Sequence, residues 1–252
     1  MFKKIIIIAI LVVSAAMTVE AQDAAATLKA VEDRTIGALA PRDIRSIMTM
    51  TITQGSSVKK RVVRVWSKNN EDKDDFRVMK FINPAEVKDV GFLVLAEETM
   101  YIYLPEFHRT RRIASSSTKD SFMGSDFSYQ DMGTSGFSQY YDAAIVKEDD
   151  ATCVLELSKK KGADRSYSRI LMTVDKTKSM PLRTESYDNA GRLWKIVEQT
   201  PTRVGSYWIS TTIKMTDVRK GSSTILEITD VTTDQNLGNA IFSERFLVTR
   251  ER

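Results

Sequence analysis

Residues 48–66 read MTMTITQGSSVKKRVVRVW, and their pattern decides the fold. Met48, Met50 and Ile52 fall on one side of an extended chain while Thr49, Thr51 and Thr53 fall on the other, the period of a strand with one buried face. QGSS at 54–57 supplies a turn, and a second strand ends near Trp66, so the stretch predicts a β-hairpin. The same pattern returns at 76–81, 91–96, 100–104, 152–158, 166–174, 182–187, 192–197, 207–215 and 224–231, and DNAG at 188–191 reads as another hairpin turn. About eleven antiparallel strands with few helices imply a sheet that curls to bury its one apolar face.

Upstream of the hairpin the period changes. From Asp23, a candidate N-cap, AAATLKAVEDRTIGALA places Leu28, Val31, Ile36 and Leu39 on one side at helical spacing, and the run stops before Pro41. The spacing predicts a helix packed on the sheet. Farther upstream, two lysines within Met1–Lys4, an apolar run from Ile5 to Met17 and VEA at 19–21 read as a secretory signal peptide over 1–21, cleaved before Gln22. The run is shorter than the ~20 residues a spanning helix needs. The expected product is a soluble periplasmic monomer, one domain over 22–252. The sole cysteine, Cys153, lies too far from the cleavage point to accept a lipid and has no partner for a disulfide; it shares a strand face with Leu155 and Leu157, the setting of a small buried hydrophobe. Removing 1–21 takes Lys3, Lys4 and Glu20 from totals of 37 basic and 33 acidic residues, leaving +3. That balance, without a basic tract interleaved with aromatics, argues against nucleic acid as a partner.

Two stretches break the strand pattern. In NPAEVKDVG, 83–91, Pro84 removes a donor and Gly91 permits close backbone approach. The second runs from Ser115 to Gln139, is rich in serine and glycine, and contains SFMGSDFSYQDM at 121–132; a loop of that length predicts function or local helical structure. Its Asp126 and Asp131 could form an acid and base pair, but short acidic side chains in loops more often cap amides or pair with arginine. His108 is the only histidine, which excludes multi-histidine metal sites and paired-histidine mechanisms, and GTSG at 133–136 misses the spacing of a nucleophile elbow. No catalytic residue, metal or cofactor is assigned. Arg109, Arg111 and Arg112 could hold an anionic headgroup or meet a membrane or partner, or they form the solvated end of a strand with Ile113 turned inward. Nine methionines remain after cleavage; flexible thioethers suit a lining that accepts variable acyl chains and equally suit core filler.

Taken in order, FINPAEVKDVGFLVL, MYIYLPEFHRTRRI and SFMGSDFSYQDM resemble the outer-membrane lipoprotein-sorting protein family, relatives of the periplasmic lipoprotein carrier. Matching positions include Pro84, Gly91, Phe92, Leu93, Tyr103, Leu104, Pro105, Arg112, Ile113, Phe122, Gly124, Ser125, Asp126, Phe127, Tyr129 and Asp131; the later strands match in general style only. The resemblance implies a mainly β (α+β) architecture: an unclosed, strongly curved antiparallel half-barrel whose concave apolar side, covered by helices, holds a lipid, an acyl chain or an acylated protein. It also implies an inner-membrane lipid exporter as partner.

A half-barrel exposes an apolar hollow that a monomer avoids unless something covers it. The loop at 115–139 is the expected lid: Phe122, Met123, Phe127 and Tyr129 turn toward the hollow with Phe92 and Tyr103 beneath, Gly124 allows the bend, and Ser125, Asp126 and Asp131 fix the backbone. Transfer of cargo toward the outer membrane then needs no chemistry, only transient membrane contact and an affinity low enough for release. A lipid or protein sensor on the same fold is the alternative.

Overall fold

The computed structural model describes residues 23–70, 75–133 and 136–250; the predicted signal peptide lies outside them. Its frame is thirteen antiparallel strands in one sheet. They are β1 (Asp43–Gln54), β2 (Ser57–Lys68), β3 (Phe76–Asn83), β4 (Gly91–Ala96), β5 (Thr99–Leu104), β6 (Arg109–Arg112), β7 (Tyr141–Glu148), β8 (Thr152–Lys159), β9 (Arg169–Asp175), β10 (Met180–Tyr187), β11 (Leu193–Val204), β12 (Tyr207–Asp217) and β13 (Ser222–Thr233). Strands β6 and β7, beyond the eleven expected, are the two edges: β6 is nearly all arginine, and β7 turns Tyr141, Ala143 and Ile145 inward but carries Ala144 and Val146 on its exposed face, so its sequence does not alternate.

The strand order, β6-β5-β4-β3-β2-β1-β13-β12-β11-β10-β9-β8-β7, explains the long loop. The chain starts at the middle of the sheet, meanders out to the β6 edge, and must reach the opposite β7 edge before meandering back to pair β13 with β1. The connection from Ile113 to Tyr140 is that crossing. It runs over the concave face of an unclosed, curved sheet, a half-barrel.

Local chemistry fixes each register. In β1 the alternation holds, with Met48, Met50 and Ile52 buried and the threonines between them half-buried. Gln54 pairs with Ser57 across a two-residue link in which Gly55 takes φ 58°. At the β10–β11 turn the Asp188 carboxylate accepts from the backbone N–H of Ala190 and Arg192, 2.9 Å each; these bonds and the Arg192 and Arg219 guanidiniums hold it down at about 2.

Three apolar clusters divide the labour. The helix over 23–35 (α1) is already helical at Asp23, and buries Ala24, Leu28 and Val31 against Cys153, Leu155, Leu157, Ile170 and Met172 on the concave side of β8 and β9. It ends at residue 35, earlier than its apolar spacing suggested, and Leu39 is left 51% exposed. Burial raises the Cys153 thiol above its ordinary value, in line with an inert core residue. A second cluster joins Met48, Met50, Val63, Phe81 and Phe92 to residues of the crossing segment. The third lies on the convex face of β2–β5, where Trp66, Val78, Leu93 and Tyr103 are covered by Phe242 and Leu247 of the C-terminal segment.

That segment carries a short helix (Glu244–Leu247, α2), whose N-cap Ser243 accepts from the Phe246 N–H at 3.2 Å. Lys80, 1% exposed, reaches Thr249 O and Oγ1 at 2.6 Å each under the Phe246 ring. Gly91 is where the segment comes closest to the sheet: a Cβ there would stand 2.6 Å from Leu247 Cδ1. Gly91→Ala should therefore cost about 1–3 kcal/mol, checked by denaturant unfolding. An unchanged midpoint would show that the segment yields without loss.

Candidate functional site

The crossing segment is packed by aromatics. Phe122 is wholly buried, with its ring 5.0 Å from Phe92, 6.1 Å from Phe81 and 5.5 Å edge-on from Tyr129. Phe127 and Met132 are buried beside it. Met123 and Gly124 are consecutive left-handed residues, φ 51° and 74°; a Cβ at Gly124 would meet nothing within 4 Å, so glycine is needed there for its backbone angle. Ser125 closes the turn, its Oγ donating to Phe122 O at 2.7 Å.

Two aspartates fasten this segment in different directions. The Asp126 carboxylate, 4% exposed, accepts from Ser222 Oγ and from Thr224 Oγ1 at 2.6 Å, while its N–H donates to Thr224 Oγ1 at 3.0 Å, so three bonds fix the turn to β13. Nearby, the carbonyl of Met123 accepts from an Arg61 guanidinium N–H, and that of Gly124 from Gln54 Nε2 at 3.4 Å. Asp131 works on the next helical turn, Tyr129–Gly133. Ser128 N–H donates to Asp131 Oδ2 at 2.8 Å and Asp131 N–H to Ser128 Oγ at 3.0 Å, a reciprocal cap. The same carboxylate accepts from Tyr167 Oη at 2.9 Å and Lys195 Nζ at 3.0 Å. Burial first, then the charge of Asp131, lifts the Tyr167 phenol well above its usual range.

This geometry counts against an acid and base pair. One carboxylate faces hydroxyls on β13 and the other a lysine on β11, each with donors already in place. His108 is an exposed turn residue at φ 46°.

Between the crossing segment, the β8–β9 connection and β9–β12 lies a cavity of about 220 Å³. Phe127, Phe137, Ile170, Val197, Ile213 and Met215 give it an apolar wall; Gln130, Asp131, Tyr167 and Thr184 add polar points. Arg165 also lines it, 9% exposed, ion-paired with Glu97 at 2.5 Å and stacked 3.3 Å from the Tyr140 ring. Sequence reasoning missed Arg165, Tyr167 and Lys195, because Arg165 sits in what reads as a turn, Tyr167 and Lys195 in what read as plain strands, and the partners of all three are distant in the chain.

The expected site residues are distributed unevenly. Phe92, Phe122, Met123 and Tyr129 belong to the concave cluster as solid packing, and of the expected aromatics Phe127 reaches the cavity wall. Tyr103 corrects the expectation: it alternates with Met100 and Ile102 and so lies on the convex face with Trp66 and Leu247. The arginine cluster is split as well. Pairing with Leu104 and Ile102 sets Arg109 and Arg111 on the concave side of β6, while Arg112 pairs with Tyr101 on the other face and donates to Glu98 O at 3.2 Å. All three are exposed, but they do not form one fork for a single headgroup.

A family model described as an uncharacterized protein matches residues 73–249. A solved domain from Vibrio parahaemolyticus, named for outer membrane lipoprotein sorting, superposes with a TM-score of 0.83 at 25% identity, over 91% of this chain and 100% of that one. A DUF1329 family protein from Desulfovibrio piger gives 0.79 at 28% identity, covering 87% and 98%. A LolA superfamily protein from Nitrosomonas europaea gives 0.70 at 18% identity, covering 88% and 98%, and shares the fold. No curated protein matches. The chain belongs to the family of that model and has the LolA-like fold of the outer-membrane lipoprotein-sorting proteins that its central motifs resemble.

Proposed function

We propose that the protein is a non-enzymatic periplasmic carrier that takes an acyl chain, of a lipid or of an acylated protein, into the concave hollow and hands it on toward the outer membrane. An inner-membrane lipid exporter is the proposed donor, and the protein acts as a monomer. The observation that carries this reading is the apolar cavity beside a fastened crossing segment. Its volume of about 220 Å³ falls below the ~300–1,000 Å³ of sites that enclose a drug-sized ligand. One chain end fits as the structure stands, and larger cargo requires the 121–128 turn to lift from β13.

The sorting named for the Vibrio domain agrees with this reading, and so do the signal-peptide pattern and the engagement of both aspartates in fixing the backbone. Displacement of a fluorescent long-chain fatty acid tests it. Saturable binding is expected, and Phe127→Ala, which removes part of the cavity wall, should weaken it about tenfold. A folded protein that binds no long-chain lipid would end the carrier reading.

A further inference from the structure

Strand pairing brings two turns together at one end of the sheet. Gln54 pairs with Ser222 and Thr53 with Ser223, so the β1–β2 turn and the β12–β13 turn, 218–221, stand side by side. Together they present Lys59, Lys60 and Lys220, all exposed, beside two exposed valines, Val58 at 63% and Val218 at 40%; Lys60 shares the face of Val58 and Lys59 takes the other, so positive charge flanks the tip of the hairpin on both sides. Neither 54–60 nor 218–221 contains a carboxylate. The nearest ones, Asp126 and Asp217, are buried, the latter with Lys220 Nζ 3.9 Å from its carboxylate, and Asp188 is occupied by Arg192 and Arg219. The β5–β6 turn opens at the same end and exposes Phe107, 59%.

The turns at the opposite end are richer in exposed acids. Exposed Glu98, Asp149 and Asp150 occupy its turns, and in the β9–β10 turn Lys176 and Lys178 are each held 2.6 Å from a carboxylate, Glu148 and Asp175.

From this we infer that the paired turns are a docking surface for an anionic lipid bilayer. Lysines near a negatively charged leaflet each contribute on the order of 1 kcal/mol, and apolar turn tips enter the boundary between headgroups and chains. Exposed valines flanked by exposed lysines, with no exposed acid in either turn, suit that interface. The surface lies beside the fastening of the crossing segment, since β13 carries both the turn and the Ser222 and Thr224 hydroxyls that hold Asp126. Docking thus sets the mouth of the hollow against the source or the destination of its cargo. This last point rests on the carrier reading; the docking surface does not.

Co-sedimentation of the full chain with vesicles of phosphatidylglycerol and phosphatidylcholine, compared with phosphatidylcholine alone, tests the inference. Anionic vesicles should bind in a salt-sensitive way. Lys59→Gln/Lys60→Gln/Lys220→Gln should lose roughly 100-fold in partitioning and most of the salt dependence, with an unchanged melting temperature, because all three side chains are solvated. Arg111→Gln/Arg112→Gln, two charges removed from the β6 edge, should stay within about threefold of the parent. Undiminished binding of the triple variant would overturn the inference. So would an equal loss per charge in the arginine variant, which means bulk charge, or a triple variant that keeps its vesicles and loses an acidic protein partner. Fatty-acid displacement by the triple variant should match the parent, so failure of the docking surface and failure of the carrier reading are separable.

Discussion

Asp131→Ala is expected to destabilise the protein by about 3–5 kcal/mol, because it leaves a buried cation without its counter-charge. Lys195 is 4% exposed and its ammonium lies 3.0 Å from Asp131 Oδ2, with the Trp194 and Tyr167 rings 5.1 and 5.7 Å away. Those rings supply some attraction for a cation but cannot accept its hydrogen bonds. The substitution also frees the Ser128 N–H that caps the short helix and the Tyr167 hydroxyl. Asp131→Asn keeps an acceptor and should fall between parent and alanine. Asp131→Leu/Lys195→Met removes both charges and should recover most of the loss, since a buried pair replaced as a unit by hydrophobes is often neutral. Denaturant unfolding measures all three. A cost below about 1 kcal/mol for Asp131→Ala would mean that water reaches Lys195 and that the pair is not structural.

The contrast between Asp131 and Tyr103 shows what the sequence could deliver. Half of the Asp131 arrangement is local: Ser128 and Asp131 stand at capping spacing, so a backbone-fixing role is legible. Its partner Lys195 is 64 residues away, and no pattern near either residue announces the pair. Alternation in TMYIYL sets Tyr101 and Tyr103 opposite Met100 and Ile102, yet β4 is buried on both faces and both faces of this part of the sheet have an apolar cover. Which face holds the hollow follows from the C-terminal segment, whose SERFL run docks on Gly91 from more than a hundred residues away. The split of the arginines, by contrast, follows from period two alone, because Arg109 and Arg111 share a side that Arg112 does not. The edge strands escape for separate reasons: β6 is short and nearly all arginine, while β7 buries Tyr141, Ala143 and Ile145 but sets Ala144 and Val146 beside them, which erases the alternation in sequence. The crossing segment was legible as special from its length; its reason, the gap between two sheet edges, belongs to the topology.

Phe122→Ala bears on the hollow most directly. Phe122 is fully buried among Phe81, Phe92 and Tyr129, so truncation should cost about 3–5 kcal/mol, the transfer term plus the cavity left by neighbours that only partly close in. For a chain of this size that lowers the melting temperature by roughly 6–20 °C. The crossing segment should suffer most, because Asp126 still anchors the turn to β13 while the aromatic plug beside it is gone. If the hollow receives acyl chains, the vacated space is continuous with what it accepts, and a long-chain fatty acid should raise the melting temperature of Phe122→Ala more than that of the parent, by mass action on the folded state. Thermal unfolding with and without fatty acid separates the outcomes. A large loss of stability with no added protection by the ligand would make Phe122 an ordinary core residue and place the cargo, if any, elsewhere. A loss below about 1 kcal/mol would mean that the segment does not rest on the concave face as described.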